Sequence, residues 1–295
     1  MKSIMKTTFI YKQVNNCDIK GDFYPTNKEN APLLIYIHGG GLIWGSRNDI
    51  FKEQVELYNT NGFNVCSIDY RLAPETKLPE IAQDIEDALK WLLDNGAKEY
   101  DFNPEQIAMI GSSGGGYLAL LTGTFAIKPK AIVSFYGYGS ILGDWYTKPS
   151  PYFTKMTTVP EKLATMLVQP HTISEAPIER RYGIYLFCRQ QGKWNDYVLG
   201  LNQVTNREKM EAYCPAKQVN SNYPATLLLH GDMDEDVPYE ESVQMAKALD
   251  TSGVKHGLIT IPNGKHVFDK EMDAPHVKEA FDQVISFLKE NLGEQ

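Results

Sequence analysis

Gly111-Ser112-Ser113-Gly114-Gly115 holds a serine between two glycines at the spacing G-x-S-x-G. The apolar run 107–110 precedes it, and an apolar stretch reading as a helix follows to about Gly123. A serine at the apex of so tight a strand-to-helix turn needs strained backbone angles and close neighbours that lack a Cβ. The turn thrusts the hydroxyl out of the sheet and sets the following amides beside it, where negative charge would develop. The chemistry this predicts is nucleophilic attack by a hydroxyl. Position selects Ser113: shifting the frame to Ser112 would place Ile110 where the first glycine stands. Ser112 is expected to be a turn residue or a helix cap.

Three further loops could complete such a site. His38-Gly39-Gly40-Gly41 follows the buried run 33–38 and precedes the nucleophile by about seventy residues. Three glycines let backbone amides point into a site unobstructed and bind an oxyanion, and one such donor is worth about 10²–10³ in rate. His38 reads as a residue that holds this loop, not as a base. The segment His230-Gly231-Asp232-Met233-Asp234-Glu235-Asp236-Val237-Pro238 follows the run 225–230. A loop at the carboxyl end of a strand is where an open α/β sheet places ligand groups. Three aspartates compete there for the role of orienting a base. His266 follows another predicted strand, in Asn263-Gly264-Lys265-His266, and the chain order Ser…Asp…His fits a nucleophile, an orienter and a base.

The elements that must position these residues alternate. Residues 7–24 alternate apolar and polar and read as a hairpin turning near Asn15 and Asn16. Strands are predicted at 33–38, 63–68, 107–110, 131–136, 225–230 and 258–261, and helices at about 50–61, 81–93, 240–249 and 277–292. Their alternation argues for an α/β fold: a mostly parallel central sheet with helices on both faces. Residues 139–216 break the rhythm, being rich in Tyr, Trp, Pro and Met without a clear strand. So long an irregular stretch exceeds a plain loop. It is expected to be a cap inserted between core segments 1–138 and 217–295. Its aromatic residues (Trp145, Tyr146, Tyr152, Phe153, Tyr182, Tyr185, Phe187, Trp194, Tyr197) mostly pack the cap onto the core; some could shape a flat apolar pocket.

Composition narrows the classes. The 295 residues are 42% hydrophobic and 22% charged, with formal net charge -8, which suits a soluble globular domain. That acidity argues against nucleic acid or anionic membrane as partner. No apolar run approaches the roughly 20 residues of a membrane helix, and the amino terminus shows no apolar signal core. Cys17, Cys66, Cys188 and Cys214 form no CxxC pair, so neither a zinc site nor a disulfide scaffold is expected. A cytoplasmic setting with reduced thiols is the simplest reading.

Together the motifs resemble the HGGG branch of the α/β-hydrolases, which includes hormone-sensitive-lipase-like esterases and related carboxylesterases. The matching residues are HGGG at 38–41, DYRLAPE at 69–75, GSSGG at 111–115, HGDMDEDVP at 230–238 and GKH at 264–266. The resemblance implies Ser113 as nucleophile, His266 as base, Asp234 as its orienter, and an oxyanion hole lined by the amides of Gly40, Gly41 and Gly114. It implies structural roles for Asp69 and Arg71. The chain departs from the esterases' usual pattern at Ser112, where an acidic residue is common, and at Gly114, where alanine is. The aspartate loop is closer to that of peptidase-like and dienelactone-hydrolase-like relatives. The implied activity is hydrolysis of small carboxylic esters, short-chain or aromatic, through an acyl-enzyme and without metal or organic cofactor. Two other readings stand beside it: an amide hydrolase on the same residues, and a non-catalytic binding module on the same scaffold.

Overall fold

The computed structural model describes residues 5–201 and 206–293. The first four residues of the amino terminus, and residues 202–205 inside the expected cap, lie outside the described residues. Strands β1 (Thr7–Val14) and β2 (Cys17–Tyr24) form the hairpin. Asn15 and Asn16 make its turn with φ of 48° and 62°, the left-handed conformation that a two-residue hairpin turn demands. The remaining strands are β3 (Ala31–Ile37), β4 (Asn64–Ile68), β5 (Phe102–Ser112), β6 (Ala131–Phe135), β7 (Ala225–Gly231) and β8 (His256–Ile261). They make one eight-stranded sheet in the order β1-β2-β4-β3-β5-β6-β7-β8. Only the β1–β2 and β2–β4 pairs are antiparallel.

The continuous apolar runs follow from burial on both faces. On β3, Leu33, Ile35 and Ile37 enter one core, while Leu34 and Tyr36 enter the other. Helices α1 (Lys52–Thr60), α2 (Leu78–Trp91) and α3 (Gly114–Thr122) follow β3, β4 and β5. The core holding Leu34 also takes in Val55 of α1. The closing helix α7 (Pro275–Leu292) adds Phe281, Val284 and Leu288 to it at spacings of three and four. The opposite core holds α2 and α3. Fully burying one such aliphatic side chain contributes roughly 1.5–3 kcal/mol.

Between β6 and β7 the described chain carries short helices joined by irregular stretches, with no strand of the sheet. Its longest helix is α4 (Ile178–Gln191), followed by α5 (Trp194–Val198); α6 (Tyr239–Thr251) then follows β7. Buried polar groups anchor this segment to the sheet ends. Arg181, 1% exposed, donates to the carbonyls of Ile43 and Ala73 and to both carboxylate oxygens of Glu75. Trp194, wholly buried, donates from Nε1 to the Gly41 carbonyl at 3.0 Å. The DYRLAPE run is therefore a brace: Glu75 grips Arg181, Asp69 accepts from Arg47, and Arg71 pairs with Asp84. The structural roles expected of Asp69 and Arg71 hold. Aromatic rings stack where the helical segment meets the sheet, with Tyr146 parallel to Trp194 at 4.2 Å.

Candidate active site

Ser113 stands between β5 and α3 with φ 54° and ψ -120°, a strained conformation held by the surrounding packing. The flanking glycines are demanded by contact. A Cβ on Gly111 would lie 2.1 Å from the Gly115 carbonyl oxygen, and one on Gly115 would lie 2.1 Å from that of Ile37. The Ser113 amide donates to Phe135 at 2.9 Å, tying the turn to β6. Ser112 is not a cap: it is the last residue of β5, and its hydroxyl meets the Tyr36 hydroxyl at 3.0 Å in the core.

The loops after β7 and β8 bring two side chains to this hydroxyl. His266 Nε2 lies 3.1 Å from Ser113 Oγ, and His266 Nδ1 lies 2.7 Å from Asp234 Oδ2. With Nδ1–H donating to the carboxylate, Nε2 is the lone pair that faces the hydroxyl. The Asp234 side chain is buried, and its second oxygen accepts the amides of Asp236 at 2.9 Å and Val237 at 3.0 Å. Burial acts to raise its pKa, but hydrogen bonds from His230 and His266 and their charges hold it well below the usual carboxylate range. His230 is wholly buried, 3.3 Å from the same carboxylate, with Nε2 on the Val237 carbonyl and Nδ1 on the Ser242 hydroxyl. For His266, burial acts to lower the pKa. The charges of Asp236, Asp234 and Asp269, with the Asp234 hydrogen bond, overcome it and raise the value above that of a free imidazole.

The three competing aspartates separate cleanly. Asp232 accepts the Asn263 amide at 2.6 Å and so joins the two loops. Asp234 takes His266. Asp236 faces the helical segment: its Oδ1 accepts Tyr185 Oη at 2.5 Å and Arg189 Nη1, while its carbonyl accepts Arg189 Nη2 at 2.8 Å.

The glycine loop lies opposite. The amides of Gly40 and Gly41 meet no acceptor among the described residues. Gly114 opens α3, where a helix amide has no partner within its own helix. A Cβ on Gly114 would come within 3.1 Å of the Gly41 nitrogen, so these amides converge beside Ser113. His38 lies flat against Tyr70 at 4.2 Å and donates from Nδ1 to the Gly39 carbonyl. Burial pushes its pKa down to about 4, which keeps it neutral and structural. Gly40, Gly41, Ser113, Tyr185, Asp236 and His266 share one cleft of about 910 Å³. Among the described residues no group of three or more His, Cys, Asp and Glu is arranged to hold a metal, and no helix is long and apolar enough to cross a membrane.

Tyr185 lines the cleft, as some of the aromatic residues of 139–216 were expected to; Arg189, which the motifs do not single out, joins it on Asp236. The available signal was their spacing of four on one helix, which puts both on one face.

This arrangement of sheet and loops is the α/β-hydrolase fold. The chain belongs to the BD-FAE family, whose family model matches residues 22–249. An α/β-hydrolase superfamily protein from Enterococcus faecalis superposes with a TM-score of 0.77 at 26% identity, covering 98% of this chain and 100% of that one. The thermophilic esterase Est2 of Thermogutta terrifontis superposes at 0.69 with 19% identity, covering 97% and 92%. In sequence, the chain is 28% identical over 348 aligned positions to the non-reducing polyketide synthase ausA of Emericella nidulans. That match covers 99% of this chain, which spans only 14% of the synthase's length.

Proposed function

We propose that the protein is a serine hydrolase of carboxylic esters with short-chain or aromatic acyl groups, of the HGGG, hormone-sensitive-lipase-like kind. The observation that carries this reading is the unbroken chain from Ser113 Oγ through His266 to Asp234, with contacts of 3.1 and 2.7 Å. His266 Nε2 takes the Ser113 proton as Oγ attacks the acyl carbon. Asp234 fixes the imidazole tautomer and stabilises the imidazolium. The Gly40, Gly41 and Gly114 amides receive the oxyanion. His266 then gives its proton to the ester oxygen as the carbon–oxygen bond breaks, and the alcohol leaves. Water, deprotonated by His266, hydrolyses the acyl-enzyme.

Residues 139–216 act as a cap whose Tyr185 ring, edge-on to Trp44, walls part of the cleft. The restricted acyl size is supported by relatives of the same fold: the Thermogutta esterase has been seen with propionate and with butyrate bound. The purified protein is expected to hydrolyse p-nitrophenyl acetate faster than its dodecanoate, and Ser113→Ala to lose that activity. An inert wild type, or full activity in Ser113→Ala, would overturn the reading.

A further inference from the structure

The carboxylate of Asp236 is held by residues that the relay does not use. Tyr185 and Arg189, both from α4, bind Oδ1. Arg189 has a side chain 1% exposed and lies over the rings of Trp145, Tyr146, Phe153 and Tyr185 at 4.6–5.4 Å. A guanidinium enclosed this way is immobile, and it fixes the carboxylate plane. The other oxygen, Oδ2, accepts no hydrogen bond among the described residues and lies 3.9 Å from His266 Nε2, in the cleft.

Nε2 is the atom that hands a proton to the departing ester oxygen in the proposed reaction, on which this inference rests. A leaving group at hydrogen-bonding distance from Nε2 therefore brings its neighbouring carbon within reach of Oδ2. Arg189 and Tyr185 occupy Oδ1, so Oδ2 presents a charged acceptor, fixed in orientation, to the cleft. A hydroxyl donor suits it, and an anionic substituent is repelled.

We propose that Asp236 determines leaving-group specificity: its open oxygen receives a hydroxyl on the carbon next to the one bearing the scissile ester oxygen. The preferred substrates are monoesters of vicinal diols. The hydroxyl donates to Oδ2 while His266 protonates the ester oxygen beside it, so one carboxylate and one imidazole hold the two oxygens of the diol. Binding energy from the hydroxyl is thus placed on the alcohol that must depart.

The test compares 2-hydroxyethyl acetate with 2-methoxyethyl acetate. The two leaving alcohols have similar size and electronics, but the ether cannot donate. A hydrogen bond to a charged acceptor corresponds to about tenfold or more in rate constant. Wild type is therefore expected to favour the hydroxy ester about tenfold in kcat/KM, and Asp236→Asn, which offers either a weaker acceptor or a donor, to bring the ratio close to one. Equal rates in a wild type that turns over p-nitrophenyl acetate overturn this inference and leave the proposed function standing. A ratio unchanged in Asp236→Asn also overturns it. A wild type inert toward all three esters overturns both. The wild-type ratio decides the matter even where the variant does not fold.

Discussion

Two parts of the chain meet at the loop 232–236, and they are built by different rules. The sheet supplies Ser113, Asp234 and His266 from three of its carboxyl ends; backbone hydrogen bonds fix Ser113 and Asp234, and the turn closed by Gly264 on Ile261 leads into His266. The helical segment between β6 and β7 supplies Arg181, Tyr185, Arg189 and Trp194, which reach the sheet through buried side-chain hydrogen bonds. Asp234 belongs to the first system and Asp236 to the second, two residues away. The lesson is a division of labour: backbone geometry sets the proton relay, and side chains from the helical segment set what surrounds it.

The sharpest way to break that division is to disturb the first carboxylate. Asp234→Asn keeps the size of the side chain but removes the charge that faces His266 Nδ1. It is expected to lower kcat by about 10⁴, measured with p-nitrophenyl acetate under saturation. A loss comparable to that of Asp236→Asn would mean that the two carboxylates share the role.

The second carboxylate is expected to act more mildly, through charge. His266 works as a base only when neutral, and its pKa is raised above that of a free imidazole, with Asp236 foremost among the charges that raise it. Activity is therefore present above that raised value and lost as pH falls through it. Asp236→Asn removes the charge, so the acid limb of kcat/KM should move to lower pH. The pH profile of p-nitrophenyl acetate hydrolysis reads this directly. An acid limb that stays in place, or moves up, would place Asp236 outside the electrostatics of the base.

The same division governs what could be read from the sequence. The elbow was legible because Gly111 and Gly115 stand where a Cβ would collide with backbone 2.1 Å away, and no other residue type fits. The inner strands were legible because burial on both faces leaves runs such as Leu33–Ile37 without a polar residue. The order Ser113, Asp234, His266 was legible because each follows a strand, and the sheet gathers strand ends at one edge. Motif resemblance, not spacing, singled out Asp234 among three aspartates; the separate partners of Asp232 and Asp236 give the physical reason.

Ser112 ends β5 instead of turning or capping because the limit of the strand depends on a tertiary partner, the Tyr36 hydroxyl, that local sequence does not reveal. The helical segment was illegible for a related reason. On α4, Arg181 and Arg189 are buried among aromatic and aliphatic residues. Polar residues on the inner face erase the apolar stripe by which a helix is recognised. Their partners, Glu75 and Asp236, lie more than a hundred and some forty-seven residues away in the chain.

The central claim is that Ser113 is a nucleophile activated by His266, and covalent labelling tests it most directly. Treated with a fluorophosphonate, the wild-type protein should gain one adduct, mapped by peptide mass spectrometry to Ser113. Ser112→Ala should label like wild type, and Ser113→Ala should not label. Absence of an adduct on the folded wild type, or an adduct on Ser112, would contradict the account.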